Sequence, residues 1–130
     1  MRPNHQPCLI ISGFKKNNES AANWARHDLL EEHLLISNQA FKQLTGTYEG
    51  IEELGFLVVL FNEEDKAFIC SLAVRFEQEC VLYLNEDRDA FFIDLKTGEE
   101  KLAGKFKNVG KYKPTSGDFT YDGVYYYQIV

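Results

Sequence analysis

Six consecutive apolar residues, Phe56 to Phe61, restrict the folds open to this chain more than any other feature of its sequence. Successive side chains of a β-strand point to opposite faces of the sheet, so this run presents an apolar surface on both faces. One face can pack against helices. The other face must meet a further layer of the protein or another subunit. The sequence therefore predicts a strand that is covered on both sides.

The composition suits a single folded domain, residues 1–130. Hydrophobic residues make up 45% of the 130 positions, which is enough for a real core. The net charge of −6 argues against a general nucleic-acid binder, which needs a basic patch. Three cysteines without C-x-x-C spacing indicate free thiols in a reducing cytoplasm. No apolar run approaches the roughly 20 residues of a membrane span, so we expect a cytoplasmic protein without a membrane partner.

Hydrophobic periodicity and turn residues predict the order of the elements. A strand starts at Cys8, Ser20 caps a helix that runs to about Ile36, and Asn62 caps a second helix. The order is strand, helix, strand, strand, helix, strand and then a β extension. This is the split β-α-β pattern of ferredoxin-like folds. We therefore predict an α+β fold with a ferredoxin-like antiparallel sheet, two helices on one face and a C-terminal β extension.

A tyrosine and two adjacent glutamates stand just before the apolar run. Tyr48 belongs to a glycine-containing turn, and Glu52 and Glu53 follow it. Such groups at the mouth of a buried strand are costly unless they have a task, although a solvated turn that starts a strand is the simpler alternative. Since neighbouring strand residues point to opposite faces, only one of Glu52 and Glu53 is expected to enter a site.

The sequence lacks the motifs of several common enzyme classes. It contains no Walker loop, no G-x-G-x-x-G and no G-x-S-x-G string, which argues against a nucleoside-triphosphate enzyme or an α/β-hydrolase. Its three histidines do not form a metal-binding set, so neither a metal nor a cofactor is expected.

Several short strings occur in the order found in one known family. They are LIISGF at 9–14, NWARH at 23–27, TGTY at 45–48, the glutamate pair at 52–53, FEQECVL at 76–82 and LAGKF at 102–106. Over most of residues 8–109 the chain resembles the bacteriophage S-adenosylmethionine (SAM) degrading enzymes, long called SAM hydrolases and now SAM lyases. No single string is specific, and the ordered set carries the resemblance.

The resemblance implies an activity and an assembly. It implies cleavage of SAM to methylthioadenosine and homoserine lactone by a homotrimer whose active sites lie between subunits. In phage infection this reaction starves SAM-dependent restriction systems. The chemistry suits a site with few polar groups, because the substrate carboxylate can attack its own γ-carbon while the sulfonium leaves as a neutral thioether.

The resemblance also implies roles for residues within these strings. Glu53 is expected to hold the cationic part of SAM, with Tyr48 orienting it and Glu52 in reserve. The further substrate-binding candidates are Ser12, Asn23, Arg26 and Gln78. As the alternative, Asn23 and Arg26 tie the first helix to a loop, and Gln78 bridges chain ends. His27 is expected at the surface or at an interface.

Two other classes of function compete with the enzyme. One is a non-catalytic trimeric ferredoxin-like module that binds a small nucleotide-like ligand. The other is a small interaction protein without a small-molecule site, for which Tyr48 and the glutamate pair are dispensable.

Overall fold

The fold is that of a computed structural model that describes residues 5–130, apart from the side chain of Tyr48. In this part of the chain, eight strands and two helices follow one another: β1 (Cys8–Ile11), α1 (Ser20–Ile36), β2 (Phe41–Tyr48), β3 (Ile51–Val59), α2 (Glu63–Arg75), β4 (Cys80–Leu84), β5 (Asp89–Asp94), β6 (Glu100–Gly110), β7 (Thr120–Tyr121) and β8 (Tyr126–Ile129). No helix among these residues is long and apolar enough to cross a membrane.

The strands form a closed antiparallel barrel. Their order around the barrel is β1-β3-β2-β7-β8-β6-β5-β4, and β4 pairs with β1 to complete the circle. The predicted open ferredoxin-like sheet with a C-terminal β extension is therefore wrong. The last four strands do not extend the sheet at one side. They join its two edges, β4 and β2, whose backbone N–H and C=O groups would otherwise remain unpaired.

The first four residues of the apolar run, Phe56 to Val59, lie in β3, and both faces of the strand are covered there within one chain. Leu60 and Phe61 follow the strand, and Phe61 is exposed, so the prediction of a covered strand is wrong for the end of the run. Phe56 and Val58 are fully buried on the outside of the barrel, where both helices pack. Leu57 and Val59 point to the inside and pack against the cluster that contains Phe106. The outer core also includes residues from both helices: Leu30, Leu34, Ile69, Leu72 and Ala73. The far wall of the barrel thus supplies the second layer that the sequence requires.

Only one of the two predicted helix caps is present. α1 spans the residues predicted from the sequence, which confirms the helix, but Ser20 is its first residue and the capping position is Glu19, which makes no side-chain capping hydrogen bond, so the predicted Ser20 cap is wrong. At the start of α2, the side chain of Asn62 accepts a hydrogen bond from the backbone N–H of Asp65 at 2.8 Å, which confirms the predicted cap. Three acidic residues in the first turn, Glu63, Glu64 and Asp65, suit the positive end of the helix dipole.

A carboxylate joins the strands where the barrel closes. Asp122 follows β7, and its Oδ2 lies 3.1 Å from Nζ of Lys42 in β2 and accepts a hydrogen bond from the hydroxyl of Tyr127 in β8. The backbone N–H groups of Val124 and Tyr125 donate to Oδ1. Burial alone would raise the pKa of Asp122, but these hydrogen bonds lower it to about 2. One charged group therefore ties β2 to the β7–β8 hairpin.

Replacing Asp122 by Asn should lower the free energy of unfolding at about pH 7 by about 1–3 kcal/mol, because the amide keeps the shape and loses the charge that faces Lys42. The folded-state pKa of about 2 lies below the ordinary value of 3.8, so this stabilisation is present above pH 3.8 and is lost as the pH falls through about 2. In urea unfolding, the difference in the free energy of unfolding between wild type and D122N should therefore be smaller at about pH 3 than at about pH 7. Glu86→Gln, in the exposed β4–β5 turn, is the control. Equal stabilities of wild type and D122N at neutral pH would contradict this role.

Candidate functional site

A cleft of about 340 Å³ lies between the loop that follows β1, the first turns of α1 and the hairpin that joins β2 to β3. Its wall on the α1 side contains Phe14, Asn23 and Trp24. Its wall on the β3 side contains Glu52 and Glu53. The cleft therefore brings together residues from three of the strings that stand apart in the sequence: 9–14, 23–27 and the glutamate pair at 52–53.

The two glutamates lie inside β3 and not ahead of it. The hairpin turn consists only of Glu49 and Gly50, whose positive φ angles of 52° and 80° are typical of a tight two-residue turn. Glu52 pairs with Thr47 and Glu53 pairs with Gly46. Alternation along the strand places Glu52 on the face that carries Phe56 and α1, and Glu53 on the inner face of the barrel.

The environments of the two carboxylates differ. Glu53 is half-buried, and this burial raises its pKa. Glu52 is exposed. Within residues 5–130, no described basic side chain forms an ion pair with either glutamate. A partly desolvated carboxylate gains most from a cationic ligand, because the ligand restores the stabilisation lost with its hydration.

Ser12 and Gln78 bind the backbone of the loop after β1. The hydroxyl of Ser12 donates to the carbonyl of Leu54 at 2.6 Å and accepts from the N–H of Phe14 at 3.0 Å. The side-chain amide of Gln78 donates to the carbonyl of Phe14 at 2.9 Å. Both side chains thus fix the backbone that carries Phe14 to the cleft.

Asn23 and Arg26 fasten the same loop to α1. Asn23 accepts from the N–H of Lys15 at 2.8 Å and donates to the carbonyl of the same residue at 3.3 Å. Arg26 donates from Nε to the carbonyl of Gly13 at 2.7 Å and from Nη2 to the carbonyl of Phe76. These contacts are the tie between helix and loop that the sequence left open. Asn23 also lines the cleft, whereas Arg26 does not line it and instead holds the loop that forms its wall.

Gly13 allows the loop to lie against the helix. A Cβ atom at this position would stand 2.8 Å from the carbonyl oxygen of Arg26 and 2.9 Å from its carbonyl carbon, both in the rigid backbone of α1. No side chain fits there without moving the loop or the helix. The glycine in the first string is therefore explained by close packing.

Two aromatic residues of the site were missed by the sequence analysis. Phe14 and Trp24 line the cleft, and their rings meet edge to face with centroids 6.5 Å apart. His27, expected at the surface, is 2% exposed and stacks on Phe56 at 4.5 Å, so that expectation is wrong. The sequence does contain a signal for this aromatic group: Trp24 and His27 are three residues apart and therefore occupy neighbouring positions on one helix face.

Two further predictions concern the position of Tyr48 and the binding of a metal ion. The side chain of Tyr48 lies outside the described residues, and its backbone in β2 pairs with Ile51 next to the hairpin turn. Within residues 5–130, no three His, Cys, Asp or Glu side chains are grouped so that they could hold a metal ion.

Comparison with known protein families gives one match that covers nearly the whole chain. The model of the S-adenosylmethionine lyase family matches residues 9–130. The protein is thus an enzyme that cleaves SAM. It belongs to the S-adenosylmethionine lyase family, which confirms the family predicted from the ordered strings. A comparison with individually curated proteins gave no match.

Proposed function

We propose that residues 1–130 act as a single catalytic domain that converts SAM to methylthioadenosine and homoserine lactone. An oxygen of the substrate carboxylate attacks the γ-carbon, and the C–S bond breaks with its electron pair on sulfur. The products are a five-membered lactone and a neutral thioether. The reaction balances without water, a proton acceptor, a metal or a cofactor. The enzyme need only hold the bent conformer, and orientation of this kind contributes roughly 7–11 kcal/mol in favourable intramolecular cases.

The observation that carries this proposal is the half-buried carboxylate of Glu53, a residue that lines the cleft from the inner face of β3 in a SAM lyase family member. Its negative charge suits the ammonium or the region near the sulfonium of SAM. Glu52, on the opposite face of β3, is the second candidate for this role. Tyr48 would orient the same cationic group from the neighbouring strand.

The remaining predicted residues divide into two groups. Asn23 reaches the cleft and is proposed to contact the substrate. Ser12, Arg26 and Gln78 were predicted as substrate-binding residues, and we propose that they act by holding the loop after β1 in place. A rigid wall matters for this reaction because its rate depends on keeping carboxylate and γ-carbon in contact.

We propose the biological role that the family resemblance implies. A phage-encoded enzyme of this kind acts in the cytoplasm of the host, where it depletes SAM and counters SAM-dependent restriction. Neither a nucleic acid nor a membrane is required as a partner. The two non-catalytic alternatives, a ligand-binding module and an interaction protein, both predict that SAM survives incubation with the protein.

Incubation of the purified protein with SAM tests the function directly. Methylthioadenosine and homoserine lactone should accumulate, as measured by chromatography with mass detection. The rate should be the same with and without a chelator, since the chemistry needs no Lewis acid. Recovery of intact SAM would contradict the function. Activity that appears only with a divalent ion would contradict the mechanism.

We further propose a homotrimer with active sites between subunits, as the family resemblance implies. The barrel covers both faces of β3 within one chain, so the apolar run no longer calls for a partner. Exposed apolar side chains on α1, Leu29, Leu35 and Ile36, leave a surface that a second copy can cover. Light scattering should give three times the chain mass of 15.0 kDa. A monomer at every concentration would contradict the assembly.

Substitutions in β3 and the hairpin test the site. Glu53→Gln keeps the shape and removes the charge, so it should lower kcat/KM by on the order of a hundredfold or more. Tyr48→Phe should cost less, because it removes one hydroxyl and keeps the ring. Glu49→Gln, in the exposed turn, should cost little.

Glu52→Gln is the matched control, because it removes the same charge from the opposite face of the same strand. Circular dichroism and particle mass should stay unchanged in all four variants. An active E53Q with an inactive E52Q would assign the site to the other face of β3. Full activity of both variants would show that this cleft is not the active site.

A further inference from the structure

Trp24 presents a large aromatic surface to the cleft while its ring is held in place from behind. The side chain is 52% exposed although it lies beside the core. Its indole meets the ring of Phe14 at 6.5 Å and the ring of His27 at 5.9 Å, both edge to face. His27 in turn stacks on Phe56. The indole is therefore fixed by the core and still accessible to a ligand.

His27 is held against rotation by a polar contact as well as by packing. Its Nε2 lies 2.9 Å from Oε1 of Gln43 in β2. The ring thus connects the outer face of the barrel to the aromatic wall of the cleft. Trp24 and Phe14, with the buried His27 behind them, thus give the cleft a preformed wall, so a ligand need not order it on binding.

The charged groups around the cleft are mainly acidic. Three glutamates line it: Glu52 from the face of β3 that also carries α1, Glu53 from the inner face, and Glu49 from the exposed hairpin turn. Two ammonium groups also line it, but Nζ of Lys15 lies 2.7 Å from Glu77, which leaves Lys16 as the cation without an ion pair among the described residues. An aromatic wall facing several carboxylates is the arrangement that binds sulfonium and quaternary ammonium groups, through attraction to the ring face and to the negative charge.

We propose that this cleft recognises the onium charge of its ligand, and that Trp24 is the residue that makes this selection. The inference rests on the proposed function, and it adds the side chain that distinguishes the sulfonium substrate from a neutral thioether. It also has a consequence for turnover. The reaction turns a sulfonium into a neutral thioether, so the attraction to Trp24 and the carboxylates ends when the C–S bond breaks and the product is released more readily.

The chain supplies its own reporter for this test. Trp24 is the single tryptophan among 130 residues, so intrinsic tryptophan fluorescence observes the cleft alone. Two probes differ mainly in charge: sinefungin, a SAM analogue with an ammonium in place of the sulfonium, and S-adenosylhomocysteine, the neutral thioether. Sinefungin should quench or shift the emission at lower concentration than S-adenosylhomocysteine.

Calorimetry on variants then assigns the selectivity. Trp24→Leu should reduce the preference for sinefungin over S-adenosylhomocysteine by roughly 2- to 30-fold, mainly through weaker sinefungin binding. Trp24→Phe, which keeps a ring, should retain most of the preference. Tyr112→Leu removes an aromatic side chain that is 89% exposed and outside the cleft, and it should change nothing. For SAM itself, Trp24→Leu should raise KM more than it lowers kcat.

The outcomes separate this inference from the proposed function. If the wild type cleaves SAM but Trp24→Leu keeps the full preference for the cationic probe, the inference is wrong and the function stands. If the wild type binds the two probes equally, or binds neither, the cleft does not select an onium charge and the inference is again wrong. Failure of the proposed function is read separately, from recovery of intact SAM with the wild type.

Discussion

Burial of both faces of β3 is the constraint on which the rest of this structure depends. The four consecutive apolar residues Phe56 to Val59 of β3 cannot be covered by helices alone, because helices reach only one face of a sheet. The chain meets the requirement by bringing β5 to β8 around to the free edge of β2, which creates an inner core opposite the helix-covered outer core. The closure depends on few groups, and the carboxylate of Asp122 connects three of the strands involved.

The cleft depends on a short loop held by polar side chains. Four side chains hydrogen-bond to the backbone of residues 13–15 and so hold this loop in place: Ser12, Asn23, Arg26 and Gln78. Such a scaffold suits a reaction in which the substrate carries both nucleophile and leaving group. The enzyme then needs a rigid cavity and a few charges, and not a catalytic triad.

The sequence was sufficient where local signals decide the outcome. The bounds of α1 and the Asn62 cap follow from periodicity and side-chain hydrogen bonding, and the family follows from ordered strings. It was insufficient where distant segments meet. Closure pairs Thr45 with Tyr121, and no local pattern encodes a contact across that separation. The burial of His27 likewise depends on Phe56 and Gln43 in other elements, so the helix sequence alone placed it at the surface.

The central claim is that the substrate's own carboxylate displaces the thioether, and cleavage in ¹⁸O-labelled water tests it most directly. Intramolecular attack predicts a lactone with no solvent oxygen. If the lactone later opens, the label should enter the carboxyl group of homoserine, because water then adds to the carbonyl carbon. Fragment masses distinguish this position from the γ-hydroxyl. Label in the γ-hydroxyl oxygen would show that water attacks the γ-carbon, and it would contradict the account.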